Sequence, residues 1–348
     1  MAERKLAYSA RPAAAPGYLS RLAAIDVRSL LWNLVFTAAL VVIVLLAAQH
    51  LWPFILQNER QPLALLWMPV LTPTAILLLL TLLERLLPPA GPRKSMEVWF
   101  LHLRIAIFQG FTFDLAGMAI QTLSEKYAKA HGFSAGFVDL SFATGKGILA
   151  MLAAAWLYLV VMDFFYYWFH RAFHTWSVLW AHHKLHHMDP ELDAITMGRD
   201  NWFEGIAAGF MMILPATLIF KFDNLDGWQM GVAAGIMATF IQTVVMIGHL
   251  NVRIQAGRFS LLWCTPQVHR IHHSTLPHHW DKNFAFVLPL WDYLFGTYYQ
   301  PAADEFPPTG VAGEVEIRSF WESQIFTQRE WWRLFVSFLE KRRARLPD

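Results

Sequence analysis

The amino-acid sequence predicts an all-α integral membrane protein, with four to six transmembrane or re-entrant helices and a cytosolic helical cap. Of its 348 residues, 56% are hydrophobic and only 16% are charged, whereas a soluble globular domain carries about 25% charged residues. Too few polar side chains are therefore present to cover a surface in water. The 16 Trp, 9 Tyr and 27 Phe residues suit a chain that meets both lipid tails and headgroups.

The same composition excludes several other classes of protein. The chain is too apolar for a disordered segment or a collagen-like fibre. Its single cysteine, Cys264, cannot form an internal disulfide, which excludes a disulfide-framed secreted module. A net charge of +2 gives no indication of a nucleic-acid partner.

Long apolar stretches define the expected membrane helices, since a span needs about 20 mainly apolar residues. The third stretch is interrupted by His102, Arg104 and Asp114, so it is a span, a re-entrant helix or a helix lying at the interface. The fifth is short for a full crossing and forms a hairpin with the sixth around a turn at 223–227. The six stretches, in order, are Leu30–Trp52, Leu63–Leu83, Val98–Leu123, Ile148–Phe169, Ile206–Phe220 and Trp228–Leu250.

The distribution of Lys and Arg predicts the orientation, because short cytosolic loops are enriched in these residues. Five basic residues precede residue 29, one lies in the loop at 57–61 and three lie at 84–94, among them Lys94. We therefore expect residues 1–29 to form a cytosolic tail. The first 28 residues lack the pattern of a cleavable signal peptide. If the third stretch crosses, His170 is also cytosolic.

Residues 30–300 are expected to form one membrane-embedded domain, followed by a C-terminal segment at 301–348. Within that segment, Arg318 to Arg345 has the pattern of a helix that carries aromatic residues among charges and ends in Lys341-Arg342-Arg343. Two interpretations stand: an interfacial helix that touches anionic lipid, or a helix docked on the protein's own cytosolic face.

The most informative feature is a clustering of histidines between residues 170 and 279. On a helix, residues i and i+4 are separated by about 40°, and i, i+3 and i+4 fall within about 100°, so each cluster presents its rings on one face. Such a pattern beside apolar spans indicates a metal site. The clusters are His170/His174, His183/His186/His187 and His269/His272/His273, with His249 alone and His182, His278 and His279 as neighbours.

The ligand types restrict the metal. Neutral imidazole suits Zn, Cu, Fe and Ni, but a structural zinc site usually needs thiolates, which Cys264 alone cannot supply. The HExxH pattern of zinc proteases is absent, because Lys184 follows His183. Eight or nine histidines suffice for two ions, and a two-metal redox site explains them most economically.

These motifs resemble the histidine boxes of the fatty acid hydroxylase/sterol desaturase superfamily. The resemblance covers roughly Leu149 to Thr297, and its order of motifs is closest to bacterial members and to the alkylglycerol monooxygenase branch. The residues that carry it are Asp163-Phe-Phe-Tyr-Tyr-Trp-Phe-His170-Arg-Ala-Phe-His174, Trp180-Ala-His-His183-Lys-Leu-His186-His187, Thr265-Pro-Gln-Val-His269-Arg-Ile-His272-His273-Ser, Asp281-Lys-Asn-Phe284 and Leu290-Trp-Asp-Tyr-Leu-Phe-Gly-Thr297.

The resemblance implies that eight histidines ligate metal, namely His170, His174, His183, His186, His187, His269, His272 and His273, with His249 as a ninth. It leaves His182, His278 and His279 undecided: His182 either supports the ligands or lies at the surface, and the other two either complete a site or occupy a loop. Arg199 and Glu204 either pair with each other or meet a polar substrate head.

Acidic residues near the boxes are candidates for orienting the ligands. Asp163 lies seven residues before His170 on the same helix, so both side chains point the same way. A metal-bound histidine usually gives its other N–H to a carboxylate or carbonyl, and Asp163 is predicted to accept it; the alternative is a helix–helix hydrogen bond. Asp281, Asn283 and Asp292 are weaker candidates for the same support.

The resemblance implies a di-iron enzyme that uses O2 and external electrons to hydroxylate or desaturate a lipid C–H bond. The lipid would be a sterol, a fatty acyl chain or an alkyl ether. The expected cofactors are two iron ions (Fe2+/Fe3+), which zinc can replace in purified protein. Electrons would come from a separate protein of the cytochrome b5 or ferredoxin type, or from a reduced pterin, and the location would be a bacterial inner membrane rather than the endoplasmic reticulum. The rival functions are a divalent-metal transporter or binder and a membrane zinc hydrolase.

Overall fold

A computed structural model describes residues 27–55, 63–132, 136–140, 146–221, 239–254, 256–314 and 316–343. Over these residues the chain is mostly helical, as the sequence predicts. The predicted tail before Val27, the loop at 57–61, the turn at 223–227 and the beginning of the last apolar stretch lie outside the described residues.

The secondary structure follows the apolar stretches and then breaks into short elements. Single 3-10 turns lie at Ala194–Gly198, Gly257–Leu261 and Pro277–His279. The longer elements are α1 (Val27–Ile55), α2 (Leu63–Leu86), α3 (Met96–Ala130), β1 (Val138–Asp139), α4 (Ile148–Thr175), α5 (Ser177–His187), α6 (Trp202–Ala208), α7 (Leu214–Ile219), β2 (Phe220–Lys221), α8 (Thr239–His249), α9 (Pro266–His272), α10 (Leu290–Leu294) and α11 (Phe320–Arg343).

Two helices in the described part of the chain are long and apolar enough to cross a membrane, Met96–Ala130 and Leu149–Thr175. The first is continuous through the predicted interruption, and the Ser95 hydroxyl caps it by accepting the Val98 N–H at 3.3 Å. Its Arg104 donates to Asn33 Oδ1 of α1 at 2.7 Å, which gives the charged side chain a hydrogen-bond acceptor within the bundle. Shorter apolar helices lie at Leu30–Ile43, Trp202–Ala216 and Thr239–His249.

The predicted helix at Ile206–Phe220 differs in the structure. The helical segment begins at Trp202, passes through a π-helical turn at Gly209–Ile213 and gives way to β2 at Phe220. Here β2 pairs in parallel with β1. The beginning of this segment crosses α3 closely, since a Cβ on Gly205 would lie 2.7 Å from the Phe113 backbone. Only glycine allows this approach, which the pattern of apolar residues cannot reveal.

The main hydrophobic core lies between α1, α2, α3 and α8, and includes Leu77, Leu103 and Met246. A buried ion-pair cluster lies beside it. Lys94, which the sequence analysis counts as a loop charge, places its Nζ 2.9 Å from Asp189 and 2.6 Å from Asp193. Lys94 therefore fixes the segment after α5 to the beginning of α3, instead of facing the cytosol.

The C-terminal helix α11 docks on α5, the helix that carries three of the histidines. Phe326 is fully buried against Leu185 and Met188 of α5 and its end. The buried Lys184 pairs with Glu330 at 2.5 Å and with Glu314 at 2.7 Å. The face of α11 that carries Phe326 and Glu330 is therefore docked on the protein itself, as the second of the two interpretations predicts.

We predict that Phe326→Ala destabilises the α5–α11 contact by about 3–5 kcal/mol, the usual effect of truncating a buried phenylalanine. Thermal unfolding of purified protein and protease cleavage between residues 301 and 320 measure the effect. The control is Ile325→Ala, because the neighbouring Ile325 is 57% exposed. Equal melting temperatures for the two variants would contradict the docking.

Candidate metal centre

Four helices bring nine histidines to one place. The end of α4 supplies His170 and His174, and the end of α8 supplies His249. Five others lie on α5 and α9, and His273 is the residue that caps the end of α9. Helical spacing sets the ring directions, as the sequence predicts. The seven-residue α9 is fixed at its beginning, where Thr265 accepts the Val268 N–H and Pro266 occupies the first helical turn.

The histidines form two adjoining groups. The first group contains five histidines from α4, α5 and α9, and the second contains four from α5, α8 and α9. Within each group, one ligand atom per histidine lies within 4.8 Å of every other. The first group is His170, His174, His183, His187 and His272, and the second is His186, His249, His269 and His273. All the histidines that the resemblance implies as ligands are therefore brought together.

The Nε2 atoms approach one another at distances that suit shared metal ions. In the second group, His249 Nε2 is 3.3 Å from His186 Nε2 and 2.9 Å from His269 Nε2. In the first, His183 Nε2 is 2.9 Å from His170 Nε2 and 3.2 Å from that of His187. With a metal–nitrogen bond of about 2.1 Å, adjacent octahedral ligands lie about 3.0 Å apart and tetrahedral ligands about 3.4 Å apart.

Backbone carbonyls orient three of the rings. The Nδ1–H groups of His170, His249 and His272 face the carbonyl oxygens of Phe284, Val245 and Lys282, at 2.7, 2.9 and 2.9 Å. A hydrogen bond at Nδ1 leaves the Nε2 lone pair for a metal. These three rings are therefore held in the tautomer that a metal ligand requires.

Burial also keeps the rings on α5 and α9 neutral. It lowers the pKa of His187 well below its usual value, and the neighbouring His273 and His272 lower it further. The pKa of His273 is lowered in the same way, by burial and then by His186. Both rings are consequently unprotonated at neutral pH and available as ligands without the loss of a proton.

The residues fit a pair of metal ions. The Nε2 atoms of His174 and His272 are buried and have no hydrogen-bond partner among the described residues. Rings of the two groups also pack together, with His187 and His273 centroids 4.3 Å apart. The geometry therefore supports metal binding. An all-imidazole donor set suits Fe, Zn, Cu and Ni alike, so the ligands do not select one of these metals.

Among the residues that the structure describes, no histidine donates a hydrogen bond to Asp163, which differs from the expected role. Its two carboxylate oxygens accept the backbone N–H groups of Val287 and Leu288, each at 2.9 Å. The same loop provides the Phe284 carbonyl that His170 meets. Asp163 therefore acts on the ligand through the loop.

The other candidates from the last motif support that loop as well. Asp292 accepts the N–H groups of Phe284 and Ala285, each at 2.8 Å. Asn283 has a positive φ of 57° and donates to the Val268 carbonyl of α9 at 2.9 Å. Asp281 is exposed, and the structure shows no contact between it and the nine histidines.

The three undecided histidines lie outside both groups. The fully buried His182 places Nδ1 2.8 Å from Glu204, so within the described part of the chain Glu204 lies against His182 and forms no ion pair with Arg199. His279 contacts Glu305 at 2.9 Å and Ser274 at 2.9 Å, while His278 is exposed beside it. This pair forms a separate cluster with Glu305 and does not complete the centre.

Two residues next to the centre were not predicted as supports. The buried Asp200 lies 3.9 Å from His186 Nδ1, on the side away from the second group's Nε2 atoms. Arg199 is fully buried, and no hydrogen bond to its guanidinium occurs among the described residues. The sequence gives one signal for them, their place 12–13 residues after the second histidine box, in the segment with the Arg199 and Glu204 positions that the sequence analysis leaves open.

Comparisons with known proteins agree with this site. The fatty acid hydroxylase family model matches residues 155–297, the segment that carries all nine histidines. Alkylglycerol monooxygenase from Danio rerio is 28% identical over 185 residues, covering 52% of this chain and 38% of the relative. Ornithine lipid hydroxylase OlsE from Rhizobium tropici is 27% identical over 157 residues, 45% of each chain.

A plant relative is similar over the same region. Protein CER1-like 2 from Arabidopsis thaliana is 31% identical over 154 residues, covering 42% of this chain and 24% of the relative. The chain thus spans less than half the length of each of these relatives. No solved structure matches it.

We predict that His272→Ala and His186→Ala each lower the metal content, because the first removes a ligand from the five-histidine group and the second from the four-histidine group. Inductively coupled plasma mass spectrometry on anaerobically loaded protein measures the loss. His131→Ala is the control, since His131 is exposed and stacks on Tyr127. Undiminished metal in either ligand variant would count against the site.

Asp163→Asn should weaken metal retention by about 10–100-fold, the usual effect of losing support behind a ligand. The amide keeps one acceptor oxygen but turns an NH2 group toward a loop N–H. Competition with a chelator measures retention, and the exposed Asp281→Asn serves as the control. A loss as complete as that of His170→Ala would contradict a role limited to supporting the loop.

Proposed function

Since residues 155–297 match the fatty acid hydroxylase family model, we propose that the protein is a membrane-bound di-iron oxygenase that oxidises a lipid C–H bond. In the overall reaction, the substrate C–H, O2, two electrons and two protons give an alcohol and water. The observation that carries the proposal is the convergence of nine histidines into two adjoining groups. Desaturation is the alternative outcome on the same centre.

Two iron ions bound by these groups would supply the O2-activating redox chemistry. The His170–Phe284 and His272–Lys282 hydrogen bonds fix rings that would hold one ion, and the His249–Val245 bond fixes a ring that would hold the other. Because these bonds hold the rings, little reorganisation would be needed when the ion's charge changes.

Aromatic side chains exclude water from the centre. The Phe284 ring lies 5.2 Å from that of His174, the Phe173 ring 5.1 Å from that of His183, and the Trp180 ring 5.3 Å from that of His187. A dry site prevents a reactive oxidant from being lost to solvent. It also favours an apolar substrate carbon over a polar one.

The position of the centre supports a lipid substrate. His170 and His174 lie in the last two turns of α4, whose apolar face is largely exposed. An acyl chain, alkyl ether or sterol beside α4 would reach the histidines without leaving the bilayer. Two relatives, an alkylglycerol monooxygenase and an ornithine lipid hydroxylase, support the lipid class.

The membrane arrangement is part of this proposal. We place α3 and α4 across the membrane, with four to six crossings or re-entrant helices in all, and a cap of shorter helices at the cytosolic side. The N-terminus and the metal centre lie on that side, in a bacterial inner membrane. Electrons come from a separate cytochrome b5-type or ferredoxin-type protein, or from a reduced pterin.

A divalent-metal transporter would require ligands that release the ion easily. Rings held by backbone carbonyls, in two groups of five and four, instead favour a resident pair. Readily exchanged zinc without any O2 consumption would support transport and contradict the oxygenase.

The decisive experiment is lipid profiling under 18O2 in cells that express the protein. We expect one lipid class to gain a single labelled oxygen, or to lose two hydrogens if desaturation occurs. His272→Ala should abolish the change, whereas His131→Ala should leave it intact. Normal product formation by His272→Ala would overturn the proposal.

A further inference from the structure

The outer face of α11 is apolar and unpartnered in the described structure. Along it, Trp321, Ile325, Trp332, Phe335 and Leu339 are 72%, 57%, 65%, 50% and 45% exposed. At about 100° per residue, these five positions fall within an arc of about 80° over five turns. We call them the outer stripe.

The opposite face of α11 packs against the rest of the protein. Ser323, Thr327 and Glu330 are buried, and Glu330 pairs with Lys184 of α5. The helix therefore cannot turn its outer stripe inward. An exposed aromatic stripe of this length needs an occupant.

The beginning of α11 lies at the level of the apolar helices. Phe320 packs against Leu101 and Ile105 of α3 and against Leu40 of α1, and its ring lies 5.5 Å from that of Phe108. These partners belong to the stretches proposed to enter the membrane. Trp321, the next residue, consequently projects outward at the same depth.

The charges flanking the outer stripe are mainly positive. From Arg318 to Arg343 the segment has six Arg or Lys residues and three Glu residues. Glu330 pairs with Lys184 and Arg333, and Glu322 pairs with Arg329. Lys341, Arg342 and Arg343 close the helix. Tryptophan and phenylalanine beside Lys and Arg are the composition of helices that lie in an anionic membrane interface.

We propose that the outer stripe of α11 lies in the headgroup region of an anionic lipid leaflet. The apolar surface continues onto the beginning of α5, because Trp331 donates to the Val178 carbonyl at 2.8 Å and Val178 and Trp176 are exposed. The interface would thus reach the helix that carries His183, His186 and His187. This inference rests on the membrane placement proposed above and not on the oxygen chemistry.

The test uses nitroxide labels on the full chain, which the buried Cys264 makes simple because a new exposed cysteine is labelled selectively. Trp332→Cys and Phe335→Cys place labels in the outer stripe. Arg333→Cys is the matched control, since Arg333 is exposed but about 100° away from Trp332. Unsubstituted protein gives the labelling background.

In bilayers containing phosphatidylglycerol, we expect labels at 332 and 335 to show a several-fold higher ratio of O2 to nickel-chelate accessibility than the label at 333. Changing Lys341, Arg342 and Arg343 together to Gln should make the accessibility ratio at 332 and 335 depend less on the phosphatidylglycerol content of the bilayer. Equal ratios at 332, 335 and 333 would overturn the inference, as would dipolar coupling between labels of two copies. If labelled lipid still forms in cells in that case, the oxygenase proposal survives and only the interface fails.

Discussion

The structure depends on histidine rings that bring their nitrogen lone pairs together. The N–H groups of the same rings are too few to form a hydrogen bond with each of these lone pairs. His249 gives its Nδ1–H to the Val245 carbonyl, so its Nε2 is an acceptor. That Nε2 faces His186 and His269 at 3.3 and 2.9 Å, and His269 also faces His273 at 3.1 Å. Each neutral ring has a single N–H, so no set of tautomers gives every one of these nitrogen lone pairs a donor. A bound cation would satisfy them better.

The loop between α9 and α10 makes this convergence possible. Asp163 and Asp292 each accept two backbone N–H groups from residues 284–288. These bonds hold the segment whose Phe284 carbonyl meets His170. Lys282, whose carbonyl meets His272, lies two residues before it. A buried carboxylate is costly unless it is hydrogen-bonded. Here the two carboxylates accept hydrogen bonds from the loop backbone and so fix its conformation without regular secondary structure.

The sequence was sufficient for features that repeat with a helical period. Spacings of three and four placed His183, His186 and His187 on one face, and the family resemblance implied His249 as a further ligand. Contacts between residues that are far apart in the chain and follow no helical period could not be predicted from the sequence. Asp163 meets a loop 124 residues away, Lys94 is buried beside Asp189, and Asp200 approaches His186; no spacing in the sequence encodes any of these.

The rotation of α5 about its axis determines where three ligands point, and α11 helps to fix that rotation. Lys184 lies about 100° around the helix from His183, and its pairs with Glu330 and Glu314 hold that side. A buried ion pair adds little net stability but strongly resists the loss of one partner. Its contribution here is therefore geometric: it excludes rotations of α5 that would turn His183 and His186 away from the metal groups.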